Sequence, residues 1–182
     1  MKRRNPIIRF LSHLVSHSWQ VHKHFSVSAL KNIEQAIKAS ESTHFGEIRF
    51  VVEAGLHPLE ILTKKTPKNR ALEVFASLNL WDTQHNTGVL IYLLLADRDV
   101  EIVADRGINQ QVGEKRWELI CHAMELQFRR GEFEAGVLQG IVDIGLHLQM
   151  YYPTDKLKMD VLENQSLSAK NNNEISDKPI IL

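Results

Sequence analysis

Residues 88–95, Gly-Val-Leu-Ile-Tyr-Leu-Leu-Leu, form an almost unbroken apolar run. Such a run with a β-branched start predicts a strand covered on both faces, and it is too short to span a bilayer. Asp97-Arg98-Asp99 interrupts it with turn-forming polarity, and residues 100–104 then resume an extended pattern. The second run therefore folds back antiparallel beside the first. That hairpin carries Asp105-Arg106-Gly107 next to Asn86-Thr87-Gly88, so two polar clusters distant in sequence meet at one sheet end. Upstream, residues 47–54 read as another strand with Ile48, Phe50, Val51 and Val52 as its buried set.

The remaining apolar positions follow the helical period. Ser26 or Ser28 can cap a helix carrying Leu30, Ile33 and Ile37, which ends at His44-Phe45-Gly46. Residues 55–65 look irregular. Thr66-Pro67 is an N-cap followed by proline at the first helical position, and that helix runs to about Leu80 on Ala71, Leu72, Phe75 and Leu78. Residues 113–130 are helical on Trp117, Ile120, Cys121, Met124 and Phe128, with Gly131 as the stop. The last helix, about 133–149, repeats Phe133, Val137, Ile141, Ile144 and Leu148. Gly136, Gly140 and Gly145 beside that stripe each cost roughly 1 kcal/mol relative to alanine, which implies close backbone approach, expected here to the sheet. Residues 6–19 place Ile7, Phe10, Leu11 and Leu14 at helical spacing among basic residues and histidines. The segment either packs on the body or touches an anionic membrane surface.

The element order predicts an α/β fold, a three-layer α/β/α sandwich with a small mixed sheet in which one strand runs parallel to an antiparallel hairpin. Three parts follow: a basic amphipathic arm at 1–25, a folded domain at 26–153, and a polar tail at 154–182.

The wording of the hairpin is distinctive. Asn86-Thr87-Gly88-Val89-Leu90-Ile91-Tyr92, Asp97-Arg98, Val100-Glu101-Ile102 and Asp105-Arg106-Gly107-Ile108 stand in order with Gly46-Glu47-Ile48-Arg49 upstream. Trp117, Phe128, Gly131, Phe133, Gly136, Gly140-Ile141, Ile144-Gly145 and Tyr152-Pro153 follow downstream. This ordered set, over roughly residues 28–153, resembles the TPM domain family of thylakoid-lumen, photosystem II repair and MOLO-type proteins. The resemblance implies the same α/β architecture. It also implies two activities linked to the family, calcium binding in an acidic groove and acid phosphatase turnover.

Charge changes the picture in one respect. The 182 residues carry 22 basic and 22 acidic side chains, a balance that argues against nucleic acid or any general polyanion as partner. Lys2, Arg3, Arg4, Arg9 and Lys23 lie in the first 24 residues with no acid, so the remainder is mildly acidic. Arg9, His13 and His17 interrupt the apolar stretch that a signal peptide needs, and no small-residue cleavage site follows, so the expected compartment is cytoplasmic. The tail is asparagine-rich, with Asn171-Asn172-Asn173, and reads as disordered. Its tip, Pro179-Ile180-Ile181-Leu182, is apolar and is expected to dock on the body or on a partner.

Candidate chemistry is sparse. The phosphate-cradling, dinucleotide-binding and nucleophile-elbow motifs are missing from the sequence. Cys121 sits on an apolar helical face with Gln127 six residues on, which reads as a small buried thiol. His13, His17, His22 and His24 permit a transition-metal site only by spacing. The carboxylates offer more. A crossover helix makes the first strand parallel to residues 88–95, which brings Glu47 to the sheet end of Asn86 and Asp105, with Asp82 nearby. Glu47, Asp82, Asn86 and Asp105, with the Thr87 carbonyl, are hard oxygen donors of the kind calcium takes. The alternative is that Glu47 and Asp105 pair with Arg49, Arg106 or helix ends. Arg98 and Arg106 are the phosphate contacts a phosphatase would use. The expected function is a non-catalytic binding or scaffold module for a protein partner, with a calcium-binding module and a metal-assisted acid phosphatase as alternatives.

Overall fold

The apolar run becomes an interior strand, as its covering on both faces requires. In the computed structural model, which describes residues 6–16, 18–154 and 175–182, β2 (Gly88–Leu94) lies between β1 (Glu47–Glu53), which it pairs in parallel, and β3 (Asp99–Ala104), which it pairs antiparallel. A fourth strand, β4 (Ile180–Ile181), adds parallel to the far side of β1, giving the order β3-β2-β1-β4. The docked tip is therefore part of the sheet. The expected disorder of the tail concerns mainly residues 155–174, which lie outside the described residues.

One face of the sheet presents Ile48, Phe50, Val52, Val89, Ile91 and Leu93 to α2 (Ser18–His24), α3 (Val27–Glu41), α7 (Glu114–Arg129) and α8 (Phe133–Tyr151). The other presents Val51, Leu90, Tyr92 and Leu94 to α4 (Pro58–Leu62) and α5 (Pro67–Ser77). This is the three-layer mixed α/β sandwich that the element order predicts. On the second face Tyr92 Oη donates to Glu53 Oε2 at 2.5 Å, and Arg70 grips the same carboxylate through Nε at 2.9 Å and Nη2 at 3.1 Å. A buried phenol and carboxylate are thus paid for by a two-pronged cation.

The structure departs from the sequence reading where short helices are fixed by caps. Residues 58–62, expected to be irregular, form α4 because His57 Nδ1 accepts from the Leu59 amide and Glu60 Oε2 accepts from the His57 amide. A further helix, α6 (Arg106–Val112), begins directly after β3, capped by Asp105. Helix α5 stops at Ser77 rather than near Leu80, because Asn79 turns left-handed at φ 53°. The close approaches at Gly136 and Gly140 are to Phe128 and Met124 of α7, and at Gly145 to Ser40 of α3, so these glycines let helices meet helices rather than the sheet.

The N-terminal segment also differs. It is two helices, α1 (Pro6–Leu14) and α2, and α1 docks through Phe10, which packs on the core, together with Arg9 and His13. His13 is buried, its Nδ1 accepting from the Leu56 amide at 2.9 Å and its Nε2 lying 3.2 Å from Asp97 Oδ1. Arg9 Nε donates to Asp97 Oδ2 at 3.0 Å. Burial acts against the Asp97 anion, but His13 and Arg9 outweigh it and hold the carboxyl below its ordinary range. Ile8, Leu11, Leu14 and Val15 stay exposed, as do Trp19 and, on adjacent α4, Leu59 and Leu62.

Candidate functional site

Glu47, Gly88 and Asp105 stand side by side across the sheet end, Glu47 in register with Gly88 and the Asp105 amide donating to the Gly88 carbonyl at 2.8 Å. Strand alternation puts both carboxylates on the α5 face, with the glycine between them. The missing side chain is used: the Leu80 carbonyl packs where a Gly88 Cβ would stand. A third oxygen, unsuspected from the sequence, therefore lies between Glu47 and Asp105.

The flanking residues lock this end. Asn86 adopts φ 55°, and its carbonyl accepts from the Ile108 amide at 3.3 Å while its Oδ1 accepts from Arg106 Nε at 3.3 Å. Thr87 is buried, its amide donating to Thr83 Oγ1 and its hydroxyl to the Phe45 carbonyl, both at 3.0 Å. Asp105 Oδ1 caps α6 by accepting from the Arg106 amide at 2.6 Å. Its Oδ2 is buried with no hydrogen-bond partner among the described residues. Five of the six expected residues, Glu47, Asn86, Thr87, Asp105 and Arg106, thus converge. Asp82 is exposed, its amide donating to the Asn79 carbonyl at 3.0 Å.

The donors are hard oxygens, which suits calcium, but they are few. Among the described residues, no three His, Cys, Asp or Glu side chains group to hold a metal ion. The phosphate contacts do not form one site either. Arg98 stands in the hairpin turn at φ 52°, at the end of the hairpin opposite Arg106.

A second site runs along β3. A cleft of about 620 Å³ opens between α5 and α7, with Asp99, Glu101, Glu118 and Glu125 among its walls and Lys68 and Arg129 as its cations. Asp99 is only 5% exposed. Burial, then the neighbouring Glu101, Glu125 and Asp97, push its carboxyl up to about 7. Burial likewise raises Glu101, against the pull of Lys68. Cys121 lies on the same wall, its thiol pushed up to about 12 by burial and Glu101, although the Ile102 amide favours the thiolate. A thiol held so firmly protonated is no nucleophile. The sequence reading missed this cleft; Glu114, Glu118 and Glu125, spaced four and seven apart, were the available signal of one acidic helical face.

The parallel-plus-hairpin sheet, helices on both faces and the Glu47–Gly88–Asp105 end define the class. Residues 22–146 match the model of the TPM domain, and the chain belongs to that family. Among solved structures it is similar to the NMR structure of BA42 protein from the psychrophilic bacterium Bizionia argentinensis, at 27% identity and a TM-score of 0.70, covering 87% of this chain and 95% of that one. No curated protein matches. Helix α1 lies upstream of the matched segment. No helix among the described residues is long and apolar enough to cross a membrane.

Proposed function

We propose that this chain is a protein-binding module whose ligand surface is the acidic cleft over β3, and that it takes a cationic segment of its partner. What supports this is the gathering of Asp99, Glu101, Glu118 and Glu125 along one cleft, where burial first and then the repulsion of Glu101 and Glu125 raise the Asp99 carboxyl. A cation placed in the cleft relieves that repulsion. The same field repels a phosphate ester, which favours binding over phosphatase turnover. Titrating the full chain with capped hexalysine at low salt, followed by NMR, should give saturable shifts along β3 and α7. The double variant Asp99→Asn, Glu101→Gln should bind at least tenfold more weakly, and absence of binding to the unaltered chain sinks the reading.

Calcium binding at the sheet end is a second reading, favoured by the buried Asp105 Oδ2 and by the Leu80 carbonyl packed over Gly88. Glu47, Asp105, Asn86 and the Thr87 and Leu80 carbonyls would be its donors. Calcium added to the full chain should shift Gly88 and Arg106 amides saturably, and Asp105→Asn should abolish those shifts while the fold persists.

The outward apolar side of α1, with Leu59 and Leu62 beside it and Lys2-Arg3-Arg4 preceding it in sequence, suits contact with an anionic bilayer. Co-sedimentation with phosphatidylglycerol vesicles, lost in Leu11→Ser with Leu59→Ser, tests that placement.

A further inference from the structure

We propose that the open edge of β3 accepts an extended, lysine- or arginine-bearing segment of a partner as a fifth strand of the sheet. The inference rests on the cleft being the ligand surface, and it adds how the ligand is held.

The register decides which backbone groups are available. The Asp105 amide donates to Gly88, so Asp99, Glu101, Val103 and Asp105 turn their amides and carbonyls toward β2. Val100, Ile102 and Ala104 turn theirs outward. The sheet ends at β3 among the described residues, and the cleft is lined by these same three positions. An outward row of donors and acceptors inside a groove is what strand addition uses. The Ile102 amide donates to the Cys121 sulfur, a weak acceptor that a peptide carbonyl displaces with gain.

The walls decide the sign of the occupant. An added strand sends alternate side chains toward α5 and toward α7. On the α5 side it meets Asp99 and Glu101, and on the α7 side Glu118 and Glu125. Asp99 is nine-tenths buried and lines the cleft, where its neighbours Glu101 and Glu125 carry charge of the same sign. A metal ion is the poorer occupant, because the carboxylates do not gather in threes. Lysine or arginine side chains, each reaching one or two carboxylates from an extended backbone, match the spread arrangement. The tip of this same chain already adds a strand to β1, where its Asp177 faces Arg49, so it suits that edge and not this acidic one.

The test uses the full chain and capped hexapeptides of alternating lysine and valine. Three forms are titrated by NMR: unmethylated, backbone N-methylated at odd positions, and N-methylated at even positions. Strand addition predicts that one methylated form, whose blocked amides face β3, binds at least tenfold more weakly, while the other keeps most of its affinity. It also predicts slowed hydrogen exchange at Val100, Ile102 and Ala104 in the complex. Equal binding of both methylated forms, with shifts confined to α7, overturns strand addition and leaves the acidic cleft as a charge-only site. No binding by any lysine peptide overturns both. Binding of a glutamate–valine analogue as tight as the lysine form removes the charge selection on which the proposal depends.

Discussion

The two edges of the sheet are finished in opposite ways. At β1 the chain covers itself: the Leu182 amide donates to Val52 at 3.0 Å, the Ala54 amide reaches the Leu182 carbonyl at 3.4 Å, and half-buried Ile180 and Ile181 complete the layer. The cover is anchored by charge. Asp177 bonds to the buried Glu41 side chain and supports the charge of Arg49 against its burial. At β3 no strand pairs with the outer edge among the described residues, and carboxylates crowd the groove. An edge can be kept from indiscriminate pairing by covering it or by charging it. This fold does both, and only the charged edge stays available to a partner of opposite sign.

Removing the cover should have the largest effect. Deleting Asp177–Leu182 forfeits two half-buried isoleucines and several backbone hydrogen bonds, and should lower stability by about 2–4 kcal/mol. The bared β1 edge should also self-associate. Denaturant melts and light scattering check this, and an unchanged, monomeric variant would mean that β4 does not protect the edge.

Next comes the anchor. Burial above all, with Glu47 and Asp177 adding and the Ile48 amide opposing, raises the Glu41 carboxyl to about 9. The folded state then keeps a proton that the unfolded state releases above about 4.5. Stability therefore falls as pH rises from about 4.5 to about 9, by roughly 1.4 kcal/mol per pH unit at most. Glu41→Gln should remove this slope, seen as urea midpoints that no longer diverge between pH 5 and pH 8. Parallel profiles for the two proteins would show that Glu41 does not carry the proton.

The open edge should respond more mildly and in the same direction. With Asp99 raised to about 7, its neutral form supports the fold below about 4, and that support fades as pH climbs to 7. Asp99→Asn should thus be neutral to stability at pH 4 and stabilising by about 1 kcal/mol at pH 8, while weakening lysine-peptide binding. A variant less stable at pH 8 would mean that Asp99 is held by a contact the crowding picture omits. The smallest change is Cys121→Ala, which frees the Ile102 amide and should tighten binding of the lysine–valine peptide a few-fold in the same titration.

Elements that declare themselves locally were legible. The apolar run of β2, the Ser26 cap of α3, the Thr66-Pro67 start of α5 and the Phe133-to-Leu148 stripe of α8 each carry their own signal. So was the meeting of Glu47 with Asp105, because a parallel crossover and a hairpin leave little freedom in register. The failures have physical causes. Helix α6 is short and has no apolar stripe of its own, so the sequence does not show that one Asp105 oxygen is already engaged as its cap. Asp82 was placed by proximity in sequence, yet the left-handed Asn79 redirects the chain just before it. The Leu80 carbonyl is backbone and leaves no mark beyond the glycine that admits it. The cleft joins β3 to α7 across a packing contact, and a single sequence records no such contact.

The β1–β4 pairing also bears on the order of folding. Val51 and Ile180 lie 129 residues apart, so their contact closes well over half of the chain into one loop. Closing it before the intervening strands and helices have docked costs entropy that two residues of pairing cannot offset. β4 is therefore the last strand to zip and the first to open, and β1 spends the late stage of folding with a bare edge. The Ala54 amide, whose acceptor is the Leu182 carbonyl, is the natural clock for that event: its hydrogen exchange runs at the rate of tip opening and not of global unfolding.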